Sequence, residues 1–368
     1  MTKQIEAETL REWLEAQQPV TVLDIRTDED RAQWAIPGSM HLNAYEALKA
    51  GQPGPIADAA FPSDRPIVTV CNGGAVSQMA ADLLTERGFD ARSLTGGMKA
   101  WSLAWNAADV PLADSPASII QVRRTGKGCL SYIVGSEGEA SVIDASVSPD
   151  VYLDLAGLHG WSIRYVLETH VHADHLSRAS ELVRRTGAVL LLPPQQRVRF
   201  AFTEVADGER VSFGNASLTA MYTPGHTNES TSYVLDDVAV FTGDTLFING
   251  VGRPDLGAEP EVARERARAL FASLTRLRNL QPEMIVLPAH TGEPVAFDGR
   301  AVAATMSEIE TWLSRWLESE DSFVARVTSQ LLPTPPNFAR IVDLNEAGEF
   351  PLGDPTELEA GANRCAVK

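Results

Sequence analysis

Thr169-His170-Val171-His172-Ala173-Asp174-His175 follows directly on the apolar run IRYVLE at residues 163–168. Three imidazoles and a carboxylate packed into seven residues at the end of a strand-like run concentrate metal-ligand chemistry, because imidazole nitrogen and carboxylate oxygen suit Zn and Fe(II) alike. The pattern continues downstream with Thr223-Pro224-Gly225-His226, Asp244 in FTGDTLF, and His290 in LPAH, which follows MIVL. Five of the seven histidines fall in these clusters. Ordinary loop or core placement explains any one of them alone, but their joint occurrence at strand ends marks a functional site. His41 and His159 stand outside the clusters and read as structural. Spacing by itself does not choose the metal.

Working outward, the flanking segments alternate strand and hairpin patterns. CLSYIVGSEGEASVIDAS turns at Gly135 to Gly138, and TSYVLDDVAVFTGDTLF turns at Asp236 and Asp237. Residues 262–277 and 302–317 carry apolar residues every three or four positions and predict helices. Residues 1–106 form a smaller α/β unit, with β-branched runs at 20–23 and 67–70 and a helical stretch placing Val76, Met79, Ala80, Leu83 and Leu84 on one face. Residues 107–118, rich in Ala, Asp, Pro and Ser and without periodicity, read as a linker, which leaves 119–368 as one larger layered domain.

THVHADH, TPGH, TGD and PAH, in that order from about residue 119 onward, resemble the signature of the metallo-β-lactamase superfamily, which implies an αββα sandwich. GDTLFINGVGRPD (243–255) and ANRCAV (362–367) are similar to its persulfide dioxygenase branch rather than to glyoxalase II. That resemblance implies one Fe(II) per chain held by His170, His226 and Asp244, with positions open for water, substrate thiolate and O2. His172, Asp174, His175 and His290 then orient the ligands, or in the hydrolase alternative complete a two-metal zinc site. Arg253 and Arg364 are candidates for the carboxylates of a glutathione-like substrate. Cys365 is a candidate for lining the persulfide pocket, against the alternative of a loose tail. Cys129, in the apolar run CLSYIV, reads as a buried strand residue.

In the first unit, Asp24-Ile25-Arg26, Ile36-Pro37-Gly38-Ser39, PIVTV running into Cys71, and Leu94-Thr95-Gly96-Gly97 before Trp101 resemble a single rhodanese domain. This implies a parallel sheet with helices on both faces. Cys71 ends a strand and opens the loop Asn72-Gly73-Gly74-Ala75-Val76-Ser77, where backbone N–H groups and a helix start favour a thiolate and anionic sulfur. Many rhodaneses carry a basic residue in this loop; Ala75 and Val76 stand here. That disfavours thiosulfate as donor and favours a persulfide. Arg26 either adds charge to the loop or pairs with Asp24 or Asp28.

The formal charge of −18, from 31 basic and 49 acidic residues, disfavours nucleic acid and anionic membranes as partners. The N-terminus lacks a signal-peptide core and no stretch reaches the roughly 20 apolar residues of a membrane span. Cytoplasm is the expected location. Three cysteines, Cys71, Cys129 and Cys365, are too few for a disulfide framework. The expected function is oxidation of glutathione persulfide or a similar small persulfide with O2 to sulfite, with Cys71 carrying sulfane sulfur. The alternative is a dinuclear zinc hydrolase of the glyoxalase II type with a rhodanese-like docking domain. A homo-oligomer fits either reading.

Overall fold

The computed structural model describes residues 3–113, 115–329, 333–335, 337–351, 353–361 and 364–367. Its first layer is a sheet of β1 (Lys3–Ile5), β2 (Thr21–Asp24), β3 (Met40–His41), β4 (Ile67–Val70) and β5 (Ala91–Leu94), in the order β1-β5-β4-β2-β3 and parallel throughout. Both faces are covered, one by Leu10 and Trp101, the other by Leu48, Ala80, Ala81 and Leu84. Such two-sided burial explains why these strands are continuous apolar runs rather than alternating ones. The helix Ala75–Glu86 forms where expected, but rotated: Ser77, Ala80, Ala81 and Leu84 are buried, whereas Met79 is 38% exposed.

The larger domain is a sandwich. One sheet contains β6 (Asn106–Val110), β7 (Ser118–Arg124), β8 (Cys129–Ser136), β9 (Glu139–Ile143), β10 (Ser162–Leu167), β11 (Val189–Leu192) and β12 (Thr203–Glu204), ordered as in the chain. The other orders β13 (Arg210–Phe213), β14 (Ala216–Tyr222), β15 (Thr231–Leu235) and β16 (Ala239–Gly243). A short ribbon of β17 (Leu246–Phe247) and β18 (Gly250–Gly252) follows. That second sheet is then completed by β19 (Ile285–Pro288) and β20 (Ala304–Thr305). Tyr132, Leu167, Phe213, Tyr233 and Phe241 fill the space between the sheets. Helices Pro149–Leu158 and Ala179–Thr186 cover one outer face, and Pro260–Arg278 and Met306–Trp316 the other, giving the αββα order. Both hairpins form; Asp236 and Asp237 take φ of 42° and 58° to close the second. The strand β21 (Ala366–Val367) pairs with β18, so the described part of the ANRCAV segment is held against the domain; its first two residues, Ala362 and Asn363, lie outside the described residues. Among the described residues no helix is long and apolar enough to cross a membrane.

Two expectations on segment boundaries differ from the structure. Residues 106–110, largely within the stretch read as a linker, pair antiparallel with β7 as the edge of the first sheet. Ala and Asp gave no β-branched signal there, and the alternating burial of this edge strand comes from its neighbour rather than from its own propensity. The helix expected from 302 begins at Met306, because Ala304 and Thr305 bridge to β19 and Thr305 caps the helix through a reciprocal pair with Glu308.

The β7–β8 turn presses against the smaller domain. Gly126 N donates to Ala104 O (3.1 Å), Arg124 Nε to Ser102 O (2.7 Å), and Trp34 Nε1 to Thr125 O (3.1 Å). A Cβ on Gly126 would collide with the Trp101 carbonyl, so only glycine admits this approach.

Candidate metal centre and persulfide loop

The C-terminal ends of β10, β14, β16 and β19 deliver the histidines and aspartates to one edge of the sandwich. His170 Nε2 lies 3.8 Å, and His226 Nε2 3.5 Å, from Asp244 Oδ2, and all three residues are buried. Ligand atoms about 2.1 Å from a common ion stand about 3.0–3.6 Å apart, so this trio is close to a ready facial set. His170 Nε2, His172 Nδ1, His175 Nε2 and Asp244 Oδ2 are buried and make no hydrogen bond within the described residues, whereas His290 Nε2 meets Asp174 Oδ2 at 2.7 Å. Buried polar atoms are normally paired, and four orphans on ligand-type side chains at one locus fit a metal.

The opposite ring atoms are anchored. His226 Nδ1 is 2.8 Å from the Arg253 carbonyl, so it donates there and leaves Nε2 for a ligand. Thr169 Oγ1 sits 2.9 Å from His170 Nδ1 and donates to Asp144 Oδ2 at 2.8 Å. His172 Nε2 faces Glu168 Oε2 (3.0 Å) and Asp144 Oδ1 (3.3 Å). Burial, reinforced by neighbouring imidazoles, holds His170 well below the ordinary histidine range, and burial also lowers His226, so both are neutral and suited to offer a ring nitrogen to a metal. Against burial, Asp144 and Glu168 hold His172 well above that range, while Asp174 and Asp244 do the same for His290. His290 Nδ1 is 2.5 Å from Asp244 Oδ1, which engages one carboxylate oxygen and leaves Oδ2 facing His170 and His226.

Next to this trio lies a second group, Cys129, Asp174, His175 and His290, also entirely buried. Cys129 Sγ is 3.3 Å from Asp174 Oδ2, and its thiol, pushed up by burial and by Asp174, is drawn down by His175 and His290 to about 7. Sequence reading missed this role because a lone cysteine in an apolar strand is normally core; the bridge between Cys129 and His290 brings it in. Cys365 joins Asp244 and His290 in a third group, its thiol pushed well above the usual range by burial and by Asp244. The tail is therefore not loose: Arg253 N donates to Cys365 O at 2.9 Å.

Arg253 behaves differently from the expectation. It is 1% exposed and its guanidinium closes on Asp255 at 2.7 and 2.8 Å. A fork already closed on a carboxylate is not available for a substrate's, so Arg253 positions His226 and the tail. Arg364 lines a cavity of about 150 Å3 beside Asp174. A larger cavity of about 690 Å3 reaches the centre at His290 and Phe247.

In the smaller domain Cys71 Sγ accepts from Gly74 N at 3.1 Å and Ser77 N at 3.3 Å and lies 3.3 Å from Ser77 Oγ. Asn72, Gly73 and Gly74 form the turn, and Ala75 and Val76 begin the helix. Gly97, at φ 57°, abuts the Cys71 carbonyl, which accepts from Met98 N at 2.8 Å. Arg26 pairs with buried Asp24 at 2.8 Å and reaches Asn72 Oδ1 at 3.4 Å, so most of its charge is compensated before it meets the loop.

This combination of sandwich, histidine–aspartate edge and parallel-sheet domain matches known families. The metallo-beta-lactamase superfamily model matches residues 124–290, and the rhodanese-like domain model matches 6–104. Hydroxyacylglutathione hydrolase of Anaeromyxobacter dehalogenans is 31% identical over 216 residues, 56% of this chain and 82% of that one. The hydroxyacylglutathione hydrolase of Methylococcus capsulatus is 36% identical over 156 residues, 42% of this chain, and the chain spans only 57% of its length. Among solved structures, ETHE1 from Myxococcus xanthus is 30% identical with a TM-score of 0.55, covering 62% of this chain and 98% of that one. The chain belongs to the metallo-beta-lactamase superfamily. It is a metal-binding-fold enzyme of that superfamily with a rhodanese-like domain at its N-terminal side.

Proposed function

We propose that the chain oxidises glutathione persulfide, or a related small persulfide, with O2 and water to sulfite and the thiol, at a single Fe(II) held by His170, His226 and Asp244. The balance is RSSH + O2 + H2O giving RSH, sulfite and two protons. Iron held there would supply stepwise electron transfer between persulfide and O2, which zinc does not. The observation that carries a one-metal reading is the Asp244 carboxylate: Oδ1 is engaged by His290 Nδ1 at 2.5 Å and only Oδ2 is left for a metal. An aspartate that bridged two metals through both oxygens would have to give up this His290 contact. The likeness to the Myxococcus ETHE1 structure supports the same reading.

The residues around the centre have definable tasks. His290, held between Asp174 and Asp244, is placed to orient both carboxylates at the centre. Cys365, kept as a neutral thiol by burial, adds no negative charge that would repel a persulfide anion. The 690 Å3 cavity at His290 is large enough for a tripeptide thiol. Cys71, cradled by Gly74 and Ser77 amides, is the proposed carrier of sulfane sulfur. The three free cysteines fit a reducing, cytoplasmic setting.

A second reading, zinc-dependent hydrolysis of a glutathione thioester, is favoured by the hydroxyacylglutathione hydrolase relatives and by the four-residue group Cys129, Asp174, His175 and His290. Offering a glutathione thioester and glutathione persulfide to iron-loaded and zinc-loaded protein separates the two. Sulfite formation with iron and no thioester cleavage with either metal is expected; thioester cleavage by the zinc form without sulfite from the iron form would replace the dioxygenase reading.

A further inference from the structure

The cavity of about 690 Å3 that reaches the metal centre at His290 takes most of its lining from the chain just after that histidine, residues 291–296, 298 and 300–302. This stretch, between β19 and β20, contains neither helix nor strand. Phe297 faces the other way from its neighbours. Ala296 and Asp298 line the cavity, while the Phe297 ring packs against the core of the smaller domain, 6.2 Å from the Trp101 ring between centroids.

A stretch with no ladder of its own has to satisfy its backbone elsewhere, and here the partners come from the sheet edge on which the smaller domain docks. Thr125 Oγ1 donates to Val295 O at 2.5 Å and Asn106 Nδ2 to Ala296 O at 3.0 Å. Arg123 donates to Arg300 O, and the Gln121 amide both donates to Val302 O (2.9 Å) and accepts from Val302 N (2.7 Å). Trp34 of the smaller domain donates to the carbonyl of the same Thr125 at 3.1 Å. The cavity wall is thus clamped by polar groups of β6, β7 and the turn after β7, and seated by one aromatic ring in the other domain.

We propose that Phe297 is a positioning residue for the thiol-carrier end of the substrate: seated in the smaller domain, it fixes the wall against which the tripeptide of a glutathione derivative lies. The smaller domain then shapes substrate binding at the metal centre through packing, independently of Cys71. The inference rests on the glutathione-carrier part of the proposed function; whether the bound sulfur is oxidised or hydrolysed does not enter it. A wall held in place before the ligand arrives costs nothing to order on binding, whereas a loosened one has to be ordered by the ligand at the expense of affinity. Replacing the ring by a methyl group leaves the polar clamps intact, so the wall loosens without detaching.

The test is calorimetric titration of S-methylglutathione into the full-length, metal-loaded chain as wild type, Phe297→Ala and Phe297→Leu, beside melting curves and metal affinity by chelator competition. This probe carries neither sulfane sulfur nor a thioester, so its binding stands apart from the reaction at the centre, which O2 uptake decides. Phe297→Ala is expected to weaken binding about tenfold with metal affinity unchanged, and Phe297→Leu to retain most of the affinity. Asn106→Ser, which releases Ala296 O from the sandwich side, is expected to weaken binding severalfold and serves if Phe297→Ala does not fold. A lowered melting temperature with isotherms superimposable on those of the wild type would make Phe297 a packing residue only and overturn the inference. Failure of the wild type to bind S-methylglutathione would overturn it as well.

Discussion

The Nδ1 atom of His226 lies 2.8 Å from the carbonyl of Arg253, at the end of the β18 strand that also pairs with the C-terminal β21. One backbone contact thus ties a proposed metal ligand to the segment carrying Cys365.

Gly252 sits inside this arrangement, where a Cβ would strike the Asp244 carbonyl and press on His226 Cβ. Gly252→Ala should shift both ligands together. Groups that orient metal ligands typically contribute about 10–100-fold in affinity. A loss in that range is expected, read by competition with a chromophoric chelator.

Glu359 is fully buried between Arg124 and Arg178, and its Oε1 accepts from Leu176 N at 2.6 Å, one residue beyond His175. Burial raises a carboxyl pKa, but the two guanidiniums outweigh it and hold Glu359 at about 2, below its ordinary 4.5. A lowered folded-state pKa stabilises above the unfolded value, and that stabilisation is lost as pH falls from 4.5 toward 2. Glu359→Gln is expected to destabilise by about 3–5 kcal/mol at neutral pH. The gap to wild type should narrow across that acid window in urea titrations.

Stripping the metal should lower the melting temperature, because the buried His170 Nε2 and Asp244 Oδ2 lose their partner. A metal held at about 100 times its Kd adds about 2.7 kcal/mol, or roughly 3–5 °C for a chain of this size. Calorimetric scans before and after chelation measure it, and Asp244→Ala protein should show no such difference.

Cys71 should take up sulfur from glutathione persulfide and lose it to cyanide or sulfite. Intact-mass spectra of wild type should show one added sulfur that Cys71→Ser protein fails to acquire in the smaller domain. An unlabelled Cys71 would make that domain a docking module.

Much of this was legible in the sequence because local order reports local structure. IVTV before Cys71 is the strand expected, both hairpins turn where their Gly and Asp residues stand, and the four histidine and aspartate motifs sit at the ends of strands of one sandwich. What escaped depends on contacts across long sequence separations. Cys129 meets Asp174 45 residues away, and Lys127 meets the Glu359 carbonyl 232 residues away. Neither carries a motif, since a lone Cys in a strand and a Lys in a turn have ordinary uses. Residues 106–110 lack strand propensity and pair only because β7 offers an edge. Arg253 carried a motif-level signal, but its partner is Asp255, two residues on.

Oxygen consumption by anaerobically iron-loaded protein on addition of glutathione persulfide, beside a zinc-loaded sample and His226→Ala, tests the proposed activity most directly. Uptake that requires iron and is lost in the variant is expected; no uptake by folded protein of verified iron content would contradict the dioxygenase reading and leave zinc-dependent hydrolysis in its place.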